Sequence, residues 1–157
     1  MKKIFAVHNT PNAIHIGLLF VRIAVGVLML VHGLPKMEML FSGEPIQFAS
    51  VFGLSPAISL ALAVFAEVLC SVLLIAGLGT RLVVLPLMIT MLVAVFQIHA
   101  ADPFAVKEMA VHFLVTYVAL FFTGSGKFSL DYLLFSQTDA KPAVRRSAED
   151  PTLAVFQ

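Results

Sequence analysis

The sequence has a single cysteine, Cys70, in 157 residues. That excludes a disulfide within the chain and any Cys-x-x-Cys redox pair. Charge is scarce too. Only 12% of residues are Asp, Glu, Lys or Arg, against about 25% in a soluble domain. Hydrophobic residues make up 60% of the chain, and mean hydropathy is +0.99. The composition is that of a membrane chain of one-domain length. A net charge of +1 offers no basic surface for nucleic acid. The first long apolar run, from about Ile14, has no small-residue cleavage site after it, so it is expected to stay as an anchor despite Lys2 and Lys3. No Ser/His/acid constellation argues for nucleophilic hydrolysis. No inverted repeat with broken helices argues for a transporter.

What is present is a set of apolar runs long enough to cross a bilayer. They predict an all-α, four-transmembrane-helix bundle over residues 1–135. The spans are about 14–34, 56–77, 82–100 and 104–123. Short interfacial segments are expected in the first outer loop, where Pro45 can open a helical turn, and after the last span. Residues 136–157 read as a flexible cytoplasmic tail. Gly33 and Pro35 mark the expected end of span one. Positive charge sets the orientation. Lys2, Lys3, Arg81, Lys127, Lys141, Arg145 and Arg146 fall on one side, and Lys36 and Lys107 on the other. That bias puts both termini in the cytoplasm and the chain in a bacterial inner membrane.

Polar residues inside the spans are the informative part. Arg22, Gly26, Met29, Gly33 and Lys36 share a stripe of span one, and the glycines let another helix come close. Ser59, Ala63, Glu67 and Ser71 form a stripe on span two. Thr90 and Gln97 share a face of span three, with His99 at its end. Glu108, His112 and Thr116 form a stripe on span four. Counting rise per residue puts Arg22 about 18 Å and Glu67 about 16 Å from the outer edge. An Arg22–Glu67 ion pair is therefore expected. Glu108 and His112 can pair locally at i, i+4. With His32, Lys36, Gln97 and His99 these groups outline a ligand-binding funnel from the outer face to the midplane. The bland alternative is that they only hold the bundle together.

Imidazoles and carboxylates in an apolar pocket suit a quinone, whose ring oxygens they bond and whose protons they pass. His32, His99 and His112 are also candidate metal ligands, although their spacing is no recognised signature. A haem would find an axial histidine but no attachment motif.

The residues also carry a resemblance. Arg22, His32-Gly33-Leu34-Pro35-Lys36, Gly53-Leu54-Ser55-Pro56, Glu67, Gly77-Leu78-Gly79-Thr80-Arg81, His99 and Gly124-Ser125-Gly126-Lys127-Phe128-Ser129-Leu130-Asp131 occur in order. Over about Leu18 to Leu133 the chain resembles the DoxX family. The resemblance implies a four-helix inner-membrane protein. Relatives are associated with thiosulfate:quinone oxidoreductase and with membrane oxidoreductase complexes that handle oxidative or thiol stress. No catalytic residue is carried over. A four-helix quinone reductase of the disulfide-forming kind is a rival that the lone cysteine counts against. The expectation is a small membrane subunit of an oxidoreductase system, binding a quinone or similar ligand and meeting a partner protein. The alternative is a non-catalytic anchor or assembly factor. Oligomeric state is left open.

Overall fold

A computed structural model describes residues 11–135. The expected tail, 136–157, and the segment before Pro11 lie outside the described residues. All regular structure among the described residues is helical. Helix α1 runs Pro11–Phe41. Span two, α2, runs Pro56–Ala76, and span three, α3, runs Thr80–Ile98. Helix α4 runs Phe104–Thr123, and a short α5 runs Leu130–Phe135. The first four are long and apolar enough to cross a membrane.

Local chemistry sets most of the helix ends. Ser55 caps α2 by accepting from the Ile58 amide at 3.4 Å, with Pro56 in the first turn. Gly77 ends α2 at φ 73°, a conformation that favours glycine. Gly33 and Pro35 do not end span one. Proline removes one backbone hydrogen bond, and membrane helices absorb that loss. The helix therefore continues past Pro35 to Phe41, about 10 Å beyond Leu34. The expected turn of helix at Pro45 does not form either. Residues 43–50 are irregular.

Two stretches widen into π-helical turns, Phe65–Cys70 in α2 and Ala94–Ile98 in α3. Each adds a residue to the helix and rotates the residues beyond it by about 100°.

The helices pack in chain order, α1 on α2, α2 on α3 and α3 along α4. The ring closes only sparsely between α1 and α4. The core is built from Met29, Cys70, Leu74, Val84, Leu87, Tyr117 and Leu120. Glycines fix the antiparallel register of α1 on α2. A Cβ on Gly26 would meet Ile75 Cγ1 at 2.5 Å, and one on Gly33 would meet Val68 Cγ2 at 2.9 Å and the Glu67 backbone at 3.0 Å. Gly33 therefore lies level with Glu67, and the first turn of helix beyond it brings Lys36 alongside.

Gly33→Ala is predicted to destabilise the bundle by about 1–3 kcal/mol through overpacking. Gly17→Ala meets nothing within 4 Å and should be neutral or slightly stabilising. Thermal unfolding in detergent of the two variants checks the contrast.

Candidate functional site

The polar residues of the spans separate into two groups at opposite ends of the bundle. At the end formed by the Gly77–Thr80 turn, the fully buried Arg22 donates from Nη1 to the Ser125 carbonyl at 2.5 Å and from Nη2 to the Phe128 carbonyl at 2.7 Å. Its guanidinium lies against Gly77, where a Cβ would stand 2.6 Å from Nη1. Asp131 completes this end. Its Oδ1 accepts from the Gly79 amide at 2.7 Å and its Oδ2 from the Thr80 amide at 3.2 Å, capping the start of α3 from a different helix. The expected Arg22–Glu67 pair does not form. Fourteen residues separate Arg22 from Lys36, about 21 Å of helix, and Glu67 lies at the level of Lys36. The sequence-based depth count put the outer end of α1 at Leu34, whereas the helix continues to Phe41. Arg22 is therefore deeper, and it clamps the turns.

At the other end, Lys36 Nζ donates to Glu67 Oε1 at 2.5 Å. The Glu67 side chain is 2% exposed and that of Lys36 is 30% exposed. Glu67 sits in the π-helical turn of α2, a feature that often marks functional sites. The pair lies in the wall of a cavity of about 470 Å³ between α2, α3 and the loop 48–54. Leu62, Phe65, Ile89 and Val93 line its apolar sides, and Phe48 and Val51 reach in from the loop. Ser59, Thr90 and His99 add polar groups to the lining. The loop is tied down where Ser59 Oγ accepts from the Val51 amide at 3.1 Å. Its tip, Phe52, holds φ 53°, a strained value for a bulky residue. A smaller pocket of about 180 Å³ on the far side of Lys36 and Glu67 brings in His32, Met29, Met91 and Phe113.

The remaining candidates are spread around this centre. His32 packs edge-on against Phe113, with ring centroids 5.8 Å apart. His99 Nδ1 lies 2.7 Å from Asp102 Oδ2. Gln97 does not share the face of Thr90. The π-helical turn at Ala94–Ile98 rotates Gln97 outward and brings His99 round to the cavity instead. Glu108 and His112 are exposed and line a groove of about 740 Å³ between α1 and α4, which His32 also borders. They do not form the expected side-chain pair, because His112 Nδ1 lies 2.9 Å from the Glu108 backbone carbonyl instead. Among the described residues, no three His, Cys, Asp or Glu side chains are placed to hold a metal. His32, His99 and His112 in particular do not converge on one point.

Two buried polar atoms near the pair have no hydrogen-bond partner among the described residues, Glu67 Oε2 and the Tyr117 hydroxyl. A buried carboxylate with one oxygen unsatisfied costs about 1–3 kcal/mol or more. Such a group is retained where it binds something or holds a proton.

The DoxX family model matches residues 17–100. The chain belongs to the DoxX family. It is also 32% identical over 127 residues to the protein named "Putative oxidoreductase CatD" of Bacillus subtilis (strain 168), covering 79% of this chain and 91% of that protein. No solved structure matches it.

The motif residues of this DoxX chain thus split by place. Arg22, the Gly77–Arg81 turn and Asp131 build one end, while Lys36, Glu67 and His99 gather at the other. Sequence reasoning missed the capping role of Asp131, the buried Tyr117 and the two π-helical turns. Ser129, two residues before Asp131, carries a legible signal, since its hydroxyl accepts from the Tyr132 amide at 3.2 Å to start α5. The π-helical turns carry none.

The pair predicts an asymmetry. Lys36→Met strands a buried carboxylate and should cost about 3–5 kcal/mol. Glu67→Gln leaves a lysine that can turn to solvent and should cost less than half of that. Unfolding midpoints of both variants test the order.

Proposed function

We propose that this DoxX protein is a small membrane subunit of an oxidoreductase or respiratory-type redox system, and that a quinone-type ligand binds in the 470 Å³ cavity. The observation that carries this reading is the Lys36–Glu67 pair, its carboxylate buried, in the wall of a largely apolar cavity. Its volume falls within the range of about 300–1,000 Å³ that suits small ligands. Lys36 has further N–H groups to donate to a ring oxygen, and Glu67 can accept from a ring hydroxyl. The isoprenoid tail would leave between α2 and α3, where Leu62, Phe65 and Ile89 are exposed. The similarity to a protein named as an oxidoreductase agrees with this class of chemistry. Electrons would pass to or from a partner protein. The excess of Lys and Arg on the terminal side supports cytoplasmic termini in a bacterial inner membrane, with the cavity toward the outer face.

A photoreactive quinone analogue added to membranes holding the full chain tests this. Labelling should fall on α2, α3 and the loop 48–54, and excess quinone should compete it away. Glu67→Gln should reduce labelling of the folded protein about tenfold, as expected for one lost charged hydrogen bond, with a smaller fall in the unfolding midpoint than Lys36→Met gives. Labelling that is not competed, or that falls only in proportion to the folded protein, would favour a non-catalytic anchor or assembly factor instead.

A further inference from the structure

The outer faces of the four spans are not alike. On α1 the exposed residues include Phe20, Ile23, Val27, Leu28 and Val31. On α2 they include Leu62, Phe65, Leu69 and Val72, and on α3 Leu82, Leu85, Ile89, Leu92 and Phe96. These are surfaces for lipid, except that Phe20 and Leu28 border the groove toward α4. Helix α4 also exposes Met109, Val115 and Phe122, but between them runs a small and polar stripe, Ala105, Glu108, His112 and Ala119, at helical spacing and ending at Thr123. Helix α4 is also the span least covered by its own chain, with 11% of its most apolar stretch buried against 39% for α2.

A carboxylate and an imidazole facing lipid are costly unless protein meets them. The two threonine hydroxyls along the helix are already satisfied, since Thr116 donates to the His112 carbonyl and Thr123 to the Ala119 carbonyl, each at 2.8 Å. Glu108 and His112 are different. The carboxylate of Glu108 has no hydrogen-bond partner among the described residues. His112 presents Nδ1 to the Glu108 carbonyl at 2.9 Å. With Nδ1–H donating there, Nε2 is left to meet an outside group.

We infer that this face of α4 docks on a second copy of the same chain, with Glu108 of each copy meeting His112 Nε2 of the other. The charge pattern selects a self-pairing. One acid and one imidazole sit a single turn apart, about 6 Å along the axis, an offset that two side chains span. In a two-fold dimer within one membrane the contact is reciprocal, so the two groups on each copy are satisfied at once. A proton held on either member makes the bond, as carboxylic acid to imidazole or as imidazolium to carboxylate. Ala105 and Ala119 let the helices come close on either side of the pair. The second copy would also cover the groove between α1 and α4, where the chain's own ring of helices closes only sparsely.

Cysteine cross-linking in native membranes tests the dimer. In a Cys70→Ala background, Ala119→Cys should oxidise to a species of twice the 17.0 kDa chain mass. Ile23→Cys, on the lipid face of α1, should not. Adding Glu108→Leu should lower the Ala119→Cys cross-link about tenfold, the loss expected for a charged hydrogen bond. The unfolding midpoint of the single chain should not fall, because the Glu108 side chain has no hydrogen-bond or ion-pair partner among the described residues. A chain that stays monomeric at Ala119→Cys, equal cross-linking at Ile23→Cys, or a product of another mass would overturn the proposal, the last by placing a different protein on this face. A cross-link undiminished by Glu108→Leu would overturn the reciprocal pairing.

Discussion

A charge inside a bilayer must be answered by another polar group within reach of its side chain. That constraint shapes this protein at two levels. Near one end of the spans, Arg22 is answered by two backbone carbonyls, those of Ser125 and Phe128. Toward the other end, Glu67 is answered by Lys36. The first solution turns one donor of each terminal nitrogen onto the protein's own turns, while Nε has no partner among the described residues. The second leaves one carboxylate oxygen unsatisfied beside an apolar cavity. The same constraint is met by a fastening in one place and by an ion pair beside a cavity in the other.

Both depend on how α1 lies against α2. Gly26 and Gly33 remove the side chains that would hold the helices apart. Once the backbones touch, the antiparallel register is set, and it decides which charge meets which. Arg22 falls beside Gly77, and Lys36 falls beside Glu67. The turn end then ties α1 to the start of α3 and to the segment before α5, through Gly77, Asp131 and the two carbonyls. The loop end stays open enough to hold a cavity.

Much of this was legible in the sequence. The four spans follow from the apolar runs, and the glycine stripe of span one marks the face that touches span two. The buried run of Ser59, Ala63, Glu67 and Ser71 reads directly from its spacing. The errors have two physical sources. Pro35 looks like a helix stop in water, but in a membrane helix it is absorbed, and the misplaced end shifted the depth count enough to pair the wrong charges. The π-helical turn at Ala94–Ile98 exchanged Gln97 for His99 at the cavity. Such a turn arises from packing against neighbouring helices, and periodicity along one chain does not encode it. The family motifs were legible as a set, but not that they would separate to opposite ends of the bundle.

The central claim is that these two ends act separately. Hydrogen–deuterium exchange on the full chain in detergent tests it most directly, comparing the native protein with Arg22→Leu and Glu67→Gln. The account predicts that Arg22→Leu raises exchange at 77–80 and 124–131 and leaves 48–54 unchanged. It predicts the converse for Glu67→Gln, with faster exchange at 48–54 and beside Glu67 and none at the turns. Loosening of both ends by either substitution would contradict the division, and Glu67 would then belong to the scaffold alone.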